Sequence, residues 1–153
     1  MNIEIVHYIA EYAQAFKELN EAWINKYFEL EEEDIDTLKH PENIIEQGGY
    51  IFVALRDLEP VGVCALRKKD HNTYEFSKMA VAETAQGLGI GRKLGEAAIA
   101  KAKQSGAKKI YLEGNTRLEA SMHLYKKLGF KKTPETSSSF KRVNIVMEME
   151  MES

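Results

Sequence analysis

Gly87, Gly89 and Gly91 alternate within the run Met79-Ala-Val-Ala-Glu-Thr-Ala-Gln-Gly-Leu-Gly-Ile-Gly-Arg-Lys-Leu94. A β-prone stretch enters this run and a helical pattern leaves it. Glycine has no Cβ, so the backbone here can come close to a ligand. The amides of residues 88–92 would stand at a helix N-terminus, where unpaired N–H groups and the positive end of the helix dipole favour phosphate. Arg92 and Lys93 add side-chain charge nearby. The spacing excludes two common phosphate loops. A P-loop ends in Gly-Lys-Ser/Thr, where this chain has Gly-Arg-Lys. A dinucleotide-binding fingerprint needs Gly-x-Gly-x-x-Gly at the start of a βαβ unit, whereas here the third glycine comes one residue early and follows a meander. What remains is Gln-x-x-Gly-x-Gly, met by Gln86, Gly89 and Gly91. A tight strand-to-helix turn with no ligand is the other reading of such glycines.

Other reactive side chains are few. Cys64, the single cysteine, lies in an apolar run and reads as core rather than nucleophile. His7, His40 and His71 lack metal-ligand spacing, and no metal is expected. Glu75 opens the strand that leads to the glycines. It is either a carboxylate base or a solvated strand residue. The acidic run Glu31-Glu-Glu-Asp34, with Asp36, reads as a solvated face, with a rim for a cationic ligand as the alternative.

The elements that must position these residues follow from periodicity. Ile3 to Val6 is a short strand. Tyr12, Phe16, Leu19 and Trp23, extended to Tyr27, recur at helical spacing. Glu31 to Asp36 is a loop or the start of a second helix, and Ile44-Ile45 sit on a short helix that stops at Gly48-Gly49. Strands are expected over residues 50–55, 61–66 and 74–81, separated by turns at 57–60 and 69–73. Ile90, Leu94, Ala98 and Ala102 step by four along the next helix, which ends at Ser105-Gly106. A strand over 109–113, a helix over 118–128 closed by Gly129, a strand from Phe130, a polar loop over 136–139 and a strand over 143–149 complete the chain. A meander followed by a β-α-β crossover predicts a mixed sheet with helices on its faces, an α/β (α+β) three-layer domain spanning residues 1–153.

The 153 residues suffice for one buried core. With 44% apolar residues, 29% charged residues and a net charge of −3, nothing draws the chain to nucleic acid or to an anionic membrane. No apolar run approaches the roughly 20 residues that span a bilayer. The N-terminus lacks the basic and long apolar regions of a signal peptide, and one cysteine excludes an intramolecular disulfide framework, so a cytoplasmic protein is expected.

The glycine run resembles the pyrophosphate loop of the GNAT superfamily of N-acetyltransferases, which binds acyl-CoA. Asn115 to Phe130 is similar to a later motif of that family, Ala-x-x-x-Leu-Tyr-x-x-x-Gly-Phe, met by Ala120, Leu124, Tyr125, Gly129 and Phe130. Together the two cover residues 74 to 131, while the first 45 residues agree only in their pattern of elements.

The resemblance implies a mostly antiparallel mixed sheet covered on both faces, acetyl-CoA as co-substrate, and direct transfer of acetyl to an amine in a ternary complex. It implies that the backbone of Met79, Ala80 and Val81 pairs with the pantetheine arm like an added strand. It places Gln86, Gly87, Leu88, Gly89, Ile90, Gly91 and Arg92 around the pyrophosphate. Asn115 would touch the cofactor arm or an ordered water, unless it is a turn or N-cap residue. Tyr125 would give a proton or a hydrogen bond to the departing thiolate, unless it only packs with Leu118, Met122 and Leu128. Glu75 would be the base. The acceptor would be a small-molecule amine, a peptide N-terminus or a lysine, and a homodimer through the C-terminal strands would fit. A non-catalytic acyl-CoA-binding module and an interaction domain holding a nucleotide are the rival readings.

Overall fold

The computed structural model describes residues 2–134 and 138–151. Its strands are β1 (Ile3–His7), β2 (Tyr50–Arg56), β3 (Glu59–Lys68), β4 (Thr73–Val81), β5 (Lys109–Gly114), β6 (Lys131–Lys132) and β7 (Ile145–Glu150). Its helices are α1 (Ala13–Tyr27), α2 (Glu32–Lys39), α3 (Glu42–Glu46), α4 (Ile90–Gln104) and α5 (Glu119–Leu128). The seven strands form one sheet in the order β1-β2-β3-β4-β5-β7-β6. β2, β3 and β4 each pair antiparallel with the strand made just before. The last strand of the sequence, β7, inserts between β5 and β6.

β2 alternates perfectly between two cores. Ile51, Val53 and Leu55 face a cluster with Phe16 of α1, Leu38 of α2 and Ile44 of α3. Phe52 and Ala54 face the opposite cluster, with α4. This two-sided burial explains an unbroken apolar run where a one-faced strand would alternate with polar residues. The α4 stripe of Ile90, Leu94, Ala98 and Ala102 is at most 2% exposed. Small residues let α4 lie close to the sheet. A Cβ on Gly62 of β3 would sit 2.9 Å from Ile90 Cγ2, so both sides have given up volume for that approach.

Of the two readings of the acidic stretch the structure has the helix, and two other local outcomes differ from expectation. The acidic stretch starts α2, where the Glu31 amide donates to the Asp34 carboxylate at 2.9 Å. β7 begins at Ile145, two residues late, because residues 138–144 turn toward the site described below; there the Asn144 amide bonds to Gly114 O at 3.0 Å. The strand after Phe130 is only two residues long. Of the expected polar loop over 136–139, residues 136 and 137 lie outside the described residues. No helix among the described residues is long and apolar enough to cross a membrane.

Candidate active site

β4 runs through a 3-10 turn at Glu83–Ala85 into the glycine run, and Gly89 is the N-cap of α4. Gly87 and Gly89 have φ of +81° and +76°, a region where other L-residues are strained. A Cβ built on either would meet nothing within 4 Å. These two positions are therefore glycine for backbone conformation, and their open sides face the groove. Gly91 is small for a different reason: its Cβ would lie 3.2 Å from Leu124 Cδ2, where α5 crosses α4. The first turn of α4 carries no acidic residue that would occupy its free amides.

A groove of about 800 Å³ follows this loop. It gathers Met79, Ala80, Val81, Gln86, Gly87, Gly89, Ile90, Gly91 and Arg92 along one side and α5 residues up to Tyr125 along the other. Leu88, expected beside the pyrophosphate, packs instead against the α4 core. Ala80 is 2% exposed, so only its backbone can serve a ligand. Arg92 is exposed and sits 3.5 Å from Glu96.

The groove continues into the sheet because β4 and β5 part company. The two strands are parallel neighbours, yet pair only over Thr73–Glu75 and Lys109–Tyr111. Beyond that point β5 stays with β7, and β4 stays with β3. A cavity of about 100 Å³ fills the split, lined by Glu75, Ser77, Lys78, Glu113, Asn115 and Tyr125 among others. Tyr125 lines both the groove and the cavity. Its ring stands edge-on to Phe76 and Phe130, with centroids 6.3 Å away in each case. Burial raises its phenol to about 12, against a weaker opposing hydrogen bond from the Ser121 side chain.

Glu75 is 7% exposed, which overturns the solvated-strand reading. Its carboxylate has Lys69 Nζ at 3.6 Å. Glu113 shares the cavity and accepts a hydrogen bond from Ser138 Oγ at 3.0 Å. Burial first, and then the Glu75 charge, raises the Glu113 carboxyl above its ordinary value. Ser77 Oγ is buried and has no hydrogen-bond partner among the described residues. Asn115 spends its amide within the protein: Nδ2 donates to Arg142 O at 2.7 Å and Oδ1 accepts from the Arg117 amide at 2.8 Å. That is the turn role rather than an open contact to a ligand. Cys64 is fully buried, and burial pushes its thiol up, so it holds no nucleophilic thiolate. His123 is exposed at the groove rim.

A model of the Acetyltransferase (GNAT) family matches residues 12–130. The chain belongs to the GNAT acetyltransferase family. Its fold is shared by a GNAT-family acetyltransferase of Staphylococcus aureus Mu50, at 21% identity and a TM-score of 0.87, covering 99% of this chain and 100% of that one. A putative acetyltransferase of Salmonella typhimurium, solved with its cofactor acetyl-CoA, matches at 20% identity and a TM-score of 0.80 over 100% of this chain and 96% of its own. The PaiA N-acetyltransferase of Thermoplasma acidophilum, in complex with coenzyme A, matches at 20% and 0.79 over 99% and 100%. At these identities the likeness is one of fold. No functionally curated protein matches the sequence significantly.

Within this GNAT fold the acidic run takes a part that its composition hides. Asp34 is 0% exposed, which corrects the solvated-face reading at that residue, while Glu32, Glu33 and Asp36 are exposed as expected. The Asp34 carboxylate accepts from Arg142 Nη1 and Nη2 at 2.7 Å each, from Lys78 Nζ, and from the Glu31 amide. Burial alone would raise this carboxyl, but the Arg142 and Lys78 hydrogen bonds outweigh it and hold the group down at about 2. Burial lowers the Lys78 ammonium, with Asp34 opposing. Lys78 has φ of +53° at the point where the β3–β4 register shifts, a β-bulge on a non-glycine residue. That conformation costs about 1–2 kcal/mol. The bulge, the buried Asp34 and Arg142 are site features that sequence reasoning missed. The one local signal was Asp34 at the third helical position, where it accepts the Glu31 amide.

Proposed function

We propose that this GNAT protein is an N-acetyltransferase that moves acetyl from acetyl-CoA to an amine by direct attack within a ternary complex. The observation that carries this reading is the meeting of groove and cavity at Tyr125, in the split between β4 and β5. The residues present suit acetyl-CoA. Open space over Gly87 and Gly89 and the free amides at the start of α4 suit a pyrophosphate. The edge of β4 from Phe76 to Val81, unpaired toward β5, suits an amide-rich arm. The Salmonella and Thermoplasma structures were solved with acetyl-CoA and coenzyme A, which supports the same choice. When bound, acetyl-CoA supplies a thioester acyl group and a thiolate leaving group.

The chain's own residues then have separable tasks. The α4 loop and the β4 edge orient the donor. Tyr125 keeps its proton at neutral pH, because its phenol sits at about 12. Tyr125 gives a proton or a hydrogen bond to the leaving sulfur. Glu75 takes the proton that an ammonium acceptor must lose before it attacks. The mutual repulsion of Glu75 and Glu113 favours an acceptor that enters as a cation and relieves it.

The acceptor class covers small amines, amino acids, amine antibiotics, peptide N-termini and lysine. A structural neighbour from Brucella melitensis is a ribosomal-protein-alanine N-acetyltransferase, which keeps peptides among them. The test is thiol release from acetyl-CoA across that amine panel. Turnover with at least one amine is expected, and Glu75→Gln should remove the acidic limb of its pH–rate profile while leaving CoA affinity alone. Tight CoA binding with no turnover of any amine would make the protein an acyl-CoA-binding module instead.

A further inference from the structure

The charges buried beside the cavity exceed what transfer chemistry needs. Asp34, Lys78 and Arg142 touch neither the groove loop nor Tyr125, yet they join the two cavity walls. Lys78 belongs to the β4 wall, and its left-handed backbone sets the bulge after which Met79, Ala80 and Val81 line the groove. Arg142 belongs to the opposite wall, with Phe140 and Val143. The Phe140 ring lies under both cations, 4.4 Å from Arg142 Cζ and 5.0 Å from Lys78 Nζ. Further ties fix the 138–142 segment: Ser139 Oγ to Glu33 at 2.9 Å, the Lys141 amide to the Glu31 carboxylate at 3.2 Å, and Arg142 O to Asn115. The Ser139 and Lys141 ties reach the start of α2, where the Asp34 carboxylate hydrogen-bonds to both walls, through Lys78 and through Arg142.

We propose that Asp34 is a positioning residue for acyl transfer: through Lys78 it fixes the β4 bulge, through Arg142 it fixes the 138–143 segment, and so it sets the width and register of the split where donor and acceptor meet. This rests on the acetyl-CoA reading above. A side chain in the left-handed region holds there only while its surroundings over-determine it. Without the Asp34 anchor the bulge relaxes, and the β4 edge loses its alignment to the groove while the glycine loop does not. The two-pronged Arg142 contact gives fixed geometry as well as attraction.

Amide NMR titration with coenzyme A reads this directly. In the wild-type protein, CoA should shift the amides of Gly87 and Gly89 and also those of Met79 to Val81. In Asp34→Asn the loop shifts should persist and the edge shifts should shrink or vanish. The kcat with the fastest amine of the panel should fall by about 10²-fold, the usual scale for a misplacement near 1 Å. The CoA dissociation constant should change by less than about threefold, because the loop holds most of it. Asp34→Asn leaves two cations facing each other; should it fail to fold, Lys78→Met keeps the stem, leaves Asp34 paired with Arg142, and should show the same pattern. A folded variant of either kind with wild-type kcat and wild-type edge shifts overturns the proposal. Lower thermal stability with both readouts intact also overturns it, because the cluster would then be structural only. If CoA shifts no loop amide in the wild-type protein, the acetyl-CoA reading falls first and takes the proposal with it.

Discussion

The groove and the cavity, which we propose for donor and acceptor, meet at one tyrosine but are built by opposite means. The donor side is backbone: glycines at 87 and 89, helix amides, and the edge of one strand, nearly all within residues 79–92. The acceptor side is charged side chain, and its central contact joins Asp34 to Arg142 across 108 positions of sequence. A backbone site is damaged by adding atoms. A side-chain site is damaged by removing charge. The donor side should therefore fail through affinity, and the acceptor side through rate and acid stability.

The largest expected effect lies where the two sides join. Tyr125→Phe keeps the ring against Phe76 and Phe130 and removes only the hydroxyl. The kcat should drop by about 10²-fold, close to 2.7 kcal/mol, with little change in CoA affinity. Measuring kcat and the CoA dissociation constant on the same preparation checks this; a wild-type kcat would reduce Tyr125 to packing and leave the two sides without a shared reactive group.

Next in size is an acid effect confined to the acceptor side. The folded Asp34 carboxyl titrates at about 2, below its ordinary 3.8, so its charged form stabilises the fold. That contribution is complete above about pH 5 and is lost as pH falls through 4 toward 2, an amount of about 2 kcal/mol. Carboxyl NMR titration of Asp34, beside urea midpoints from pH 6 to 2.5, provides the reading. An Asp34 that titrates near 4 would break the contrast, because the cluster would then be no more than loosely paired.

The smallest of the three belongs to the donor side. Gly89→Val forces a β-branched residue to φ +76° and adds atoms where the pyrophosphate is expected. CoA affinity should weaken at least about tenfold, or 1.4 kcal/mol, and the thermal stabilisation given by CoA should shrink with it. A folded Gly89→Val protein that binds CoA normally would remove the loop from the site.

The same contrast decides what the sequence could reveal. The α4 stripe, the strand runs and the glycine loop depend on neighbours a few positions apart, so periodicity and a short motif expose them. Tyr125 is legible through its motif, although its pairing with Phe76 is not. Glu75 could be named but not placed, because whether a strand carboxylate is buried depends on β5, more than thirty residues away. Asp34 stood among three other acidic residues, with only its place at the third helical position to mark it; its burial comes from Lys78 and Arg142, distant in sequence. The Lys78 bulge has no composition signal at all, since lysine has no preference for the left-handed region. Leu88 and Gly91 show the limit of a motif: it points to their backbone, while the packing of the Leu88 side chain and the tight space beside Gly91 are set by α4 and α5.

The insertion of β7 between β5 and β6 also bears on how the protein is made. A nascent chain can zip β1 to β4 together in the order in which they emerge, at about 5–20 residues per second. β5 then waits, holding to β4 by the three pairs at its start. β6 has no sheet neighbour among the described residues until β7 arrives. Arg142 comes just ahead of β7, so Asp34 and Lys78 wait for their third member over the same interval. A ribosome that stalls before Ile145 would release a finished four-strand half beside a bare strand edge, the surface by which chains aggregate and proteases recognise them. The working split and the escape from that hazard are thus completed by the same last six-residue strand.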